Sequence, residues 1–134
     1  MPLEGKDRVK RGLRDRADKL VRGVGLEAAS RLIRRTPVDK GRARGNWNVA
    51  IGEMDRSHDE SILDPQGAEA LRMAQATILG EFRAGQTLFV TNSLPYVPEL
   101  DRGHSKQAPQ GMVALTVAEM QPLVGQVLAE VRNG

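Results

Sequence analysis

A chain of 134 residues, 28% charged and 40% apolar, is long enough to bury a working core in one domain. It has no cysteine, which excludes disulfides and thiolate metal sites. No run approaches the roughly 18 apolar residues of a membrane span, and the charged start, residues 1–10, is not followed by an apolar signal core, so a soluble chain not exported by that route is expected. The net charge of +3 is unevenly spread. Residues 1–45 carry 14 Lys/Arg against 6 Asp/Glu (+8), and residues 46–134 carry 6 against 11 (−5). Such asymmetry points to a basic face meeting an anionic partner, or to two faces meeting between subunits.

In chain order, Lys6 to Arg35 reads as a helix. Val9, Leu13, Ala17, Leu20, Val24, Ala28 and Leu32 recur in steps of three and four and form one apolar stripe. Gly23 and Gly25 mark a bend or a close approach of another backbone. Thr36-Pro37 ends the element, because the residue before proline is pushed out of the helical region. Val38 to Gly45 is a cationic, glycine-bearing loop. Trp47, Val49 and Ile51 then alternate with polar or small residues, the pattern of a half-buried strand closed by Gly52, with Trp47 as a core anchor.

Glu53 to Ser61 reads as an exposed acidic connection. Asp64-Pro65 resembles an N-cap with proline at the first helical position, opening a helix to about Arg83 with Leu71, Ala74, Ile78 and Phe82 buried. Gly85 is placed as a left-handed C-terminal cap. Thr87 to Thr91 reads as a second strand. Asn92 to Gln110, with Pro95, Pro98 and Pro109, is long for a structureless connection and is expected to order against a neighbouring subunit or another assembly of subunits. The last helix is placed at about Thr116 to Arg132, with Thr116 and Glu119 as a capping box, Met120, Val124, Val127, Leu128 and Val131 on one face, and Pro122 as a kink or a late start. Two strands make a poor sheet. Either residues 53–63 or 111–117 hold another, or a second copy extends the sheet.

Candidate chemistry is sparse. His104 and Ser105 beside Glu99 and Asp101 lack the spacing and the glycine-framed elbow of a nucleophile with its base. His58 with Asp55, Asp59 and Glu60 has no metal-site signature, and an acidic solvated loop explains it better. Lys40, Gly41, Arg42, Arg44 and Gly45 lead into a strand, whereas a phosphate loop leads into a helix. The basic first helix favours nucleic-acid phosphates, but its acidic residues dilute the patch and it carries no aromatic for base stacking.

Two segments carry a resemblance. Thr36-Pro37-Val38-Asp39-Lys40-Gly41-Arg42-Ala43-Arg44-Gly45-Asn46-Trp47 resembles the T-P-V-D-x-G-x-x-x-x-x-W turn of phage tail-completion and head–tail joining proteins. The segment from Tyr96 through Glu99, Leu100, Asp101, Arg102, Gly103, His104, Ser105, Lys106, Ala108 and Gly111 to Val113 resembles that family's Y-x-x-x-L-E-x-G-x-S-x-x-A-P-x-G segment, with Asp101-Arg102 where the family more often has Glu and an aromatic. The elements also follow the family's order.

The resemblance implies an α+β fold: a long N-terminal helix and two further helices on a small, mainly antiparallel sheet, as one domain. It implies a structural virion protein, without cofactor, metal or catalysis, working as a homo-oligomeric ring (six-fold by family) at the head–tail junction or the head-proximal end of the tail of a phage, prophage or gene transfer particle. Partners would be the connector and tail-tube proteins, with DNA passing nearby and no membrane. Asp39, Arg42, Arg44, Glu99, Asp101, Arg102, His104 and Lys106 are the expected contact residues. The alternative is a nucleic-acid-binding module led by the basic helix.

Overall fold

The computed structural model describes residues 4–103, 105–108 and 110–133, the side chains of Val131 and Asn133 excepted. Helix α1 (Gly5–Arg35) is followed by the short α2 (Arg42–Gly45) and strand β1 (Asn48–Ile51). Helix α3 (Ala68–Glu81), strand β2 (Leu88–Thr91), the short α4 (Val97–Asp101) and α5 (Val113–Asn133) complete the order. The fold is α+β, with β1 and β2 pairing antiparallel through Val49↔Val90 and Ile51↔Leu88. These four residues share one face of the pleat and pack on a core of Ala29, Leu32, Ile33, Ala74, Ile78 and Leu94. A lone strand pair is marginal in water; here α1 and α3 cover that face.

Helix α1 has two neighbours, and this shifts its buried face away from the stripe expected from its sequence. The buried residues of α1 are Gly25, Ala29, Leu32 and Ile33, of which Ala29, Leu32 and Ile33 join the core with Ala74 and Ile78 of α3. Leu20, Val24 and Ala28 are only half-buried, along the seam with α5. Val9 (62% exposed) and Leu13 (43%) lie on the part of α1 that runs past the rest of the domain, where residues 4–16 are all exposed. The helix is continuous through Gly23 and Gly25. Gly25 does mark a close approach, but of side chains: a Cβ there would stand 2.7 Å from Leu88 Cδ2.

Asp64 caps α3 as its chemistry suggests, its Oδ2 accepting from the Ala70 amide at 3.0 Å. The helix nonetheless begins at Ala68, because residues 64–67 form a turn that ends on Gly67 at φ 69°. Ala74, Ile78 and Phe82 are buried as expected, and Leu71 packs against the core. Gly85 is left-handed (φ 91°) but lies beyond the helix, which ends at Glu81 with an extended Phe82.

Residues 53–63 contain no strand. The Asn46 amide holds this loop against the body, its Nδ2 donating to Asp59 O at 2.9 Å and its Oδ1 accepting from Asp59 N at 2.8 Å. Residues 113–117 are helical, since α5 starts at Val113, ahead of the expected capping box. The true cap of α5 is Asp101, whose Oδ1 accepts from Met112 N at 2.9 Å and Val113 N at 2.7 Å. Thr116 and Glu119 bind α1 instead: Thr116 Oγ1 accepts from Arg35 Nη1 at 3.1 Å, and Glu119 pairs with Arg31 and Arg35. α5 runs through Pro122 as one helix.

Candidate functional site

The turn after α1 is built on Thr36, which is fully buried. Its amide bonds back to Leu32 O and Ile33 O, and its hydroxyl donates to Leu32 O at 2.6 Å. The Thr36 carbonyl accepts from Arg44 Nη2 at 2.9 Å. Arg44 also donates to Arg34 O and Pro65 O, each at 2.9 Å. One guanidinium thus satisfies carbonyls that a helix C-terminus would otherwise leave open. Lys40 takes a left-handed φ of 63°, uncommon for a residue with a side chain. Gly41 follows at φ 86°, pressed so close to Asp64 and Pro65 that a Cβ would meet their backbone.

The 92–110 segment packs against this turn within the same chain. The Gln107 side chain forms a two-bond clamp on Val38, its Oε1 accepting from Val38 N at 2.8 Å and its Nε2 donating to Val38 O at 3.0 Å. Asn92 Nδ2 donates to Ala43 O at 2.8 Å. Between the two segments lies an open cleft of about 380 Å³, lined by Asp39, Lys40, Arg42, Tyr96, Ser105 and Gln107 among others. The described residues of this segment thus make contacts with their own chain, and with the turn they form a concave surface of mixed polarity.

Electrostatics in the cleft centre on Arg42 and Tyr96. Burial pushes the Tyr96 phenol up; the Arg42 guanidinium opposes this, and Glu60 and Asp39 add to it. The Arg42 Nε is buried with no hydrogen-bond partner among the described residues. A buried donor left unpaired is costly.

The structure divides the expected contact residues into groups. Asp39 and Arg42 line the cleft. Glu99, Arg102 and Lys106 are exposed nearby in sequence but do not line it. Arg44 and Asp101 are committed inside the chain, as the helix-end staple and the α5 cap. His104 lies outside the described residues. Tyr96, Ser105 and Gln107 line the cleft without being among the expected contact residues. Gln107 in particular reaches a partner 69 residues away, and no local pattern announces that.

Ser105, Asp55 and Asp59, among the residues weighed for chemistry, have structural partners. Ser105 Oγ accepts from Gln107 N at 3.2 Å, closing a local turn. Asp55 accepts from the Ser57 amide and hydroxyl, and Asp59 does the same with Ser61. These bonds hold both carboxyls below the ordinary carboxylate range. Among the described residues there is no group of three side chains suited to a metal ion, and no helix long and apolar enough to cross a membrane. No protein family, no curated protein and no solved structure was found to match the chain.

Proposed function

We propose that this chain is a structural subunit of a phage-like particle, assembling as a ring at the head–tail junction and acting through contacts alone. The observation that carries the reading is the convergence of the two segments that resemble tail-completion proteins. The first ends at Trp47 and the second begins at Tyr96, yet they meet in one surface cleft with Arg42 in its wall. Arg42, with Tyr96 and Asp39, would receive an acidic or amide side chain from an adjoining subunit. A charge-assisted bond to a guanidinium gives such a contact direction as well as energy.

The reading is tested on particles released by cells that carry the gene. Antibody-directed gold against the chain should label one end of the tail, next to the head. Particles that contain no trace of the chain would rule the assignment out.

The projecting start of α1 favours a second reading, nucleic-acid binding. Lys6, Arg8, Lys10, Arg11, Arg14 and Arg16 are all exposed there. Duplex DNA titrated at two salt concentrations separates the readings, because phosphate-driven affinity falls steeply with salt. Lack of binding at low salt eliminates it.

A further inference from the structure

Helix α5 carries an apolar stripe that its own chain leaves open. Val117 (52% exposed), Val124 (43%) and Leu128 (58%) recur at helical spacing with Val113. Val124 joins two hollows beside this stripe. One, about 330 Å³, is walled by Ala28, Leu32, Val113, Val117 and Met120. The other, about 280 Å³, is walled by Val21, Gly25, Phe82, Leu88, Val127 and Leu128. Together they form a groove along the α1–α5 seam, about 22 Å long from Val113 to Leu128 at 1.5 Å per residue. A continuous apolar surface of this kind usually marks a docking site.

We propose that the groove of one copy receives the projecting N-terminal turns of α1 from the next copy. This rests on the ring-assembly reading and specifies which surfaces meet. Two features of the chain select that occupant. First, Gly5–Arg16 is a preformed exposed helix of about 18 Å, close to the length of the groove. Second, its Val9 and Leu13 continue the α1 stripe of Leu20, Val24 and Ala28, whose inner part already packs on α5. The same ridge meeting the same helix from outside is a helix-in-groove contact. The groove walls carry no charged residue, so the apolar stripe of the arm enters while its cations keep to the wet rim. Arm into groove is a heterologous contact, each copy giving one surface and taking the other, and such contacts form a ring where the rotation between copies closes.

The absence of native cysteine allows a direct test with the full chain. A Leu13→Cys chain is mixed with a Leu128→Cys chain under mild oxidation. Both positions are exposed, so neither change disturbs the core. The expected result is a mixed covalent dimer in large excess over either like-with-like dimer. Charge in the arm (Val9→Asp with Leu13→Asp) or in the groove (Val124→Asp with Leu128→Asp) should abolish self-association. Mixing those two variants should restore a dimer through the one intact contact. A dominant Leu128–Leu128 product would show α5 pairing with itself and overturn the proposal. So would undiminished association of the arm variant, or no crosslink at all. If rings or labelled particles persist in any of those cases, only this docking fails and the assembly reading stands.

Discussion

The indole Nε1 of Trp47 donates to the hydroxyl of Thr36 at 2.7 Å, and that hydroxyl donates to Leu32 O at 2.6 Å. The relay joins the last turn of α1 to the entry of β1, with both side chains buried. It also explains why a threonine and a tryptophan stand eleven residues apart at the two ends of the turn. Thr36→Val keeps the shape but strands the indole N–H, and should cost about 1–3 kcal/mol. Trp47→Phe should destabilise too, and the double variant should lose less than the two single losses combined, because they break the same bond. Urea unfolding of the three variants measures this.

Asp101 anchors the polar loop to α5. Asp101→Ala removes the acceptor for both Met112 and Val113 amides and should lower stability by about 1 kcal/mol, with Asp101→Asn milder. Hydrogen exchange should quicken at the first turn of α5 and not at α3. Uniform acceleration across both helices would contradict a local cap.

Two glycines should respond in opposite directions. At Gly23, inside α1 and with nothing within 4 Å of an added Cβ, alanine should raise stability by up to about 1 kcal/mol. At Gly41 the left-handed backbone and the adjoining Asp64–Pro65 backbone leave no room for a methyl, and alanine should cost more than about 1 kcal/mol. Thermal melts of the two variants suffice.

Glu119 ties α5 to α1 and should make that contact acid-sensitive. Its bond from Arg35, with the nearby charges of Arg35 and Arg31, holds its carboxyl below the ordinary value of a glutamate. The folded state therefore binds this proton less readily than the unfolded state does. The stabilisation is present above the ordinary carboxylate range and is lost as pH falls through the lowered value. Glu119→Gln should be less stable than wild type at neutral pH, and the gap should narrow on acidification. A constant gap in urea midpoint between pH 7 and pH 3 would show that the pairing adds nothing pH-dependent.

Much of the fold was legible because its main elements follow local rules. α1, β1, α3 and β2 fall close to where periodicity and Thr36-Pro37 place them. The phase of α1 was not legible, because a helix with neighbours on two sides has no single stripe, and Val9 and Leu13 belong to a segment with none. The caps of α5 and of the turn escaped for another reason: Asp101 acts eleven residues downstream and Gln107 acts across 69. Those bonds exist only after the chain has folded. The same applies to Arg44, whose charge suggested an outward role while its donors are spent on carbonyls of its own chain. Exchanging it with Arg42, as the turn's charge alone would suggest, would therefore confuse misfolding with lost contact.

The central claim is that the Arg42 cleft is gripped by an adjoining subunit, and Arg42→Glu tests it most directly. The variant, first shown by circular dichroism and melting to fold like wild type, is supplied to cells whose own copy of the gene is deleted. Unjoined heads and tails with loss of intact particles is the predicted outcome. A normal yield of intact particles containing the variant would contradict the account.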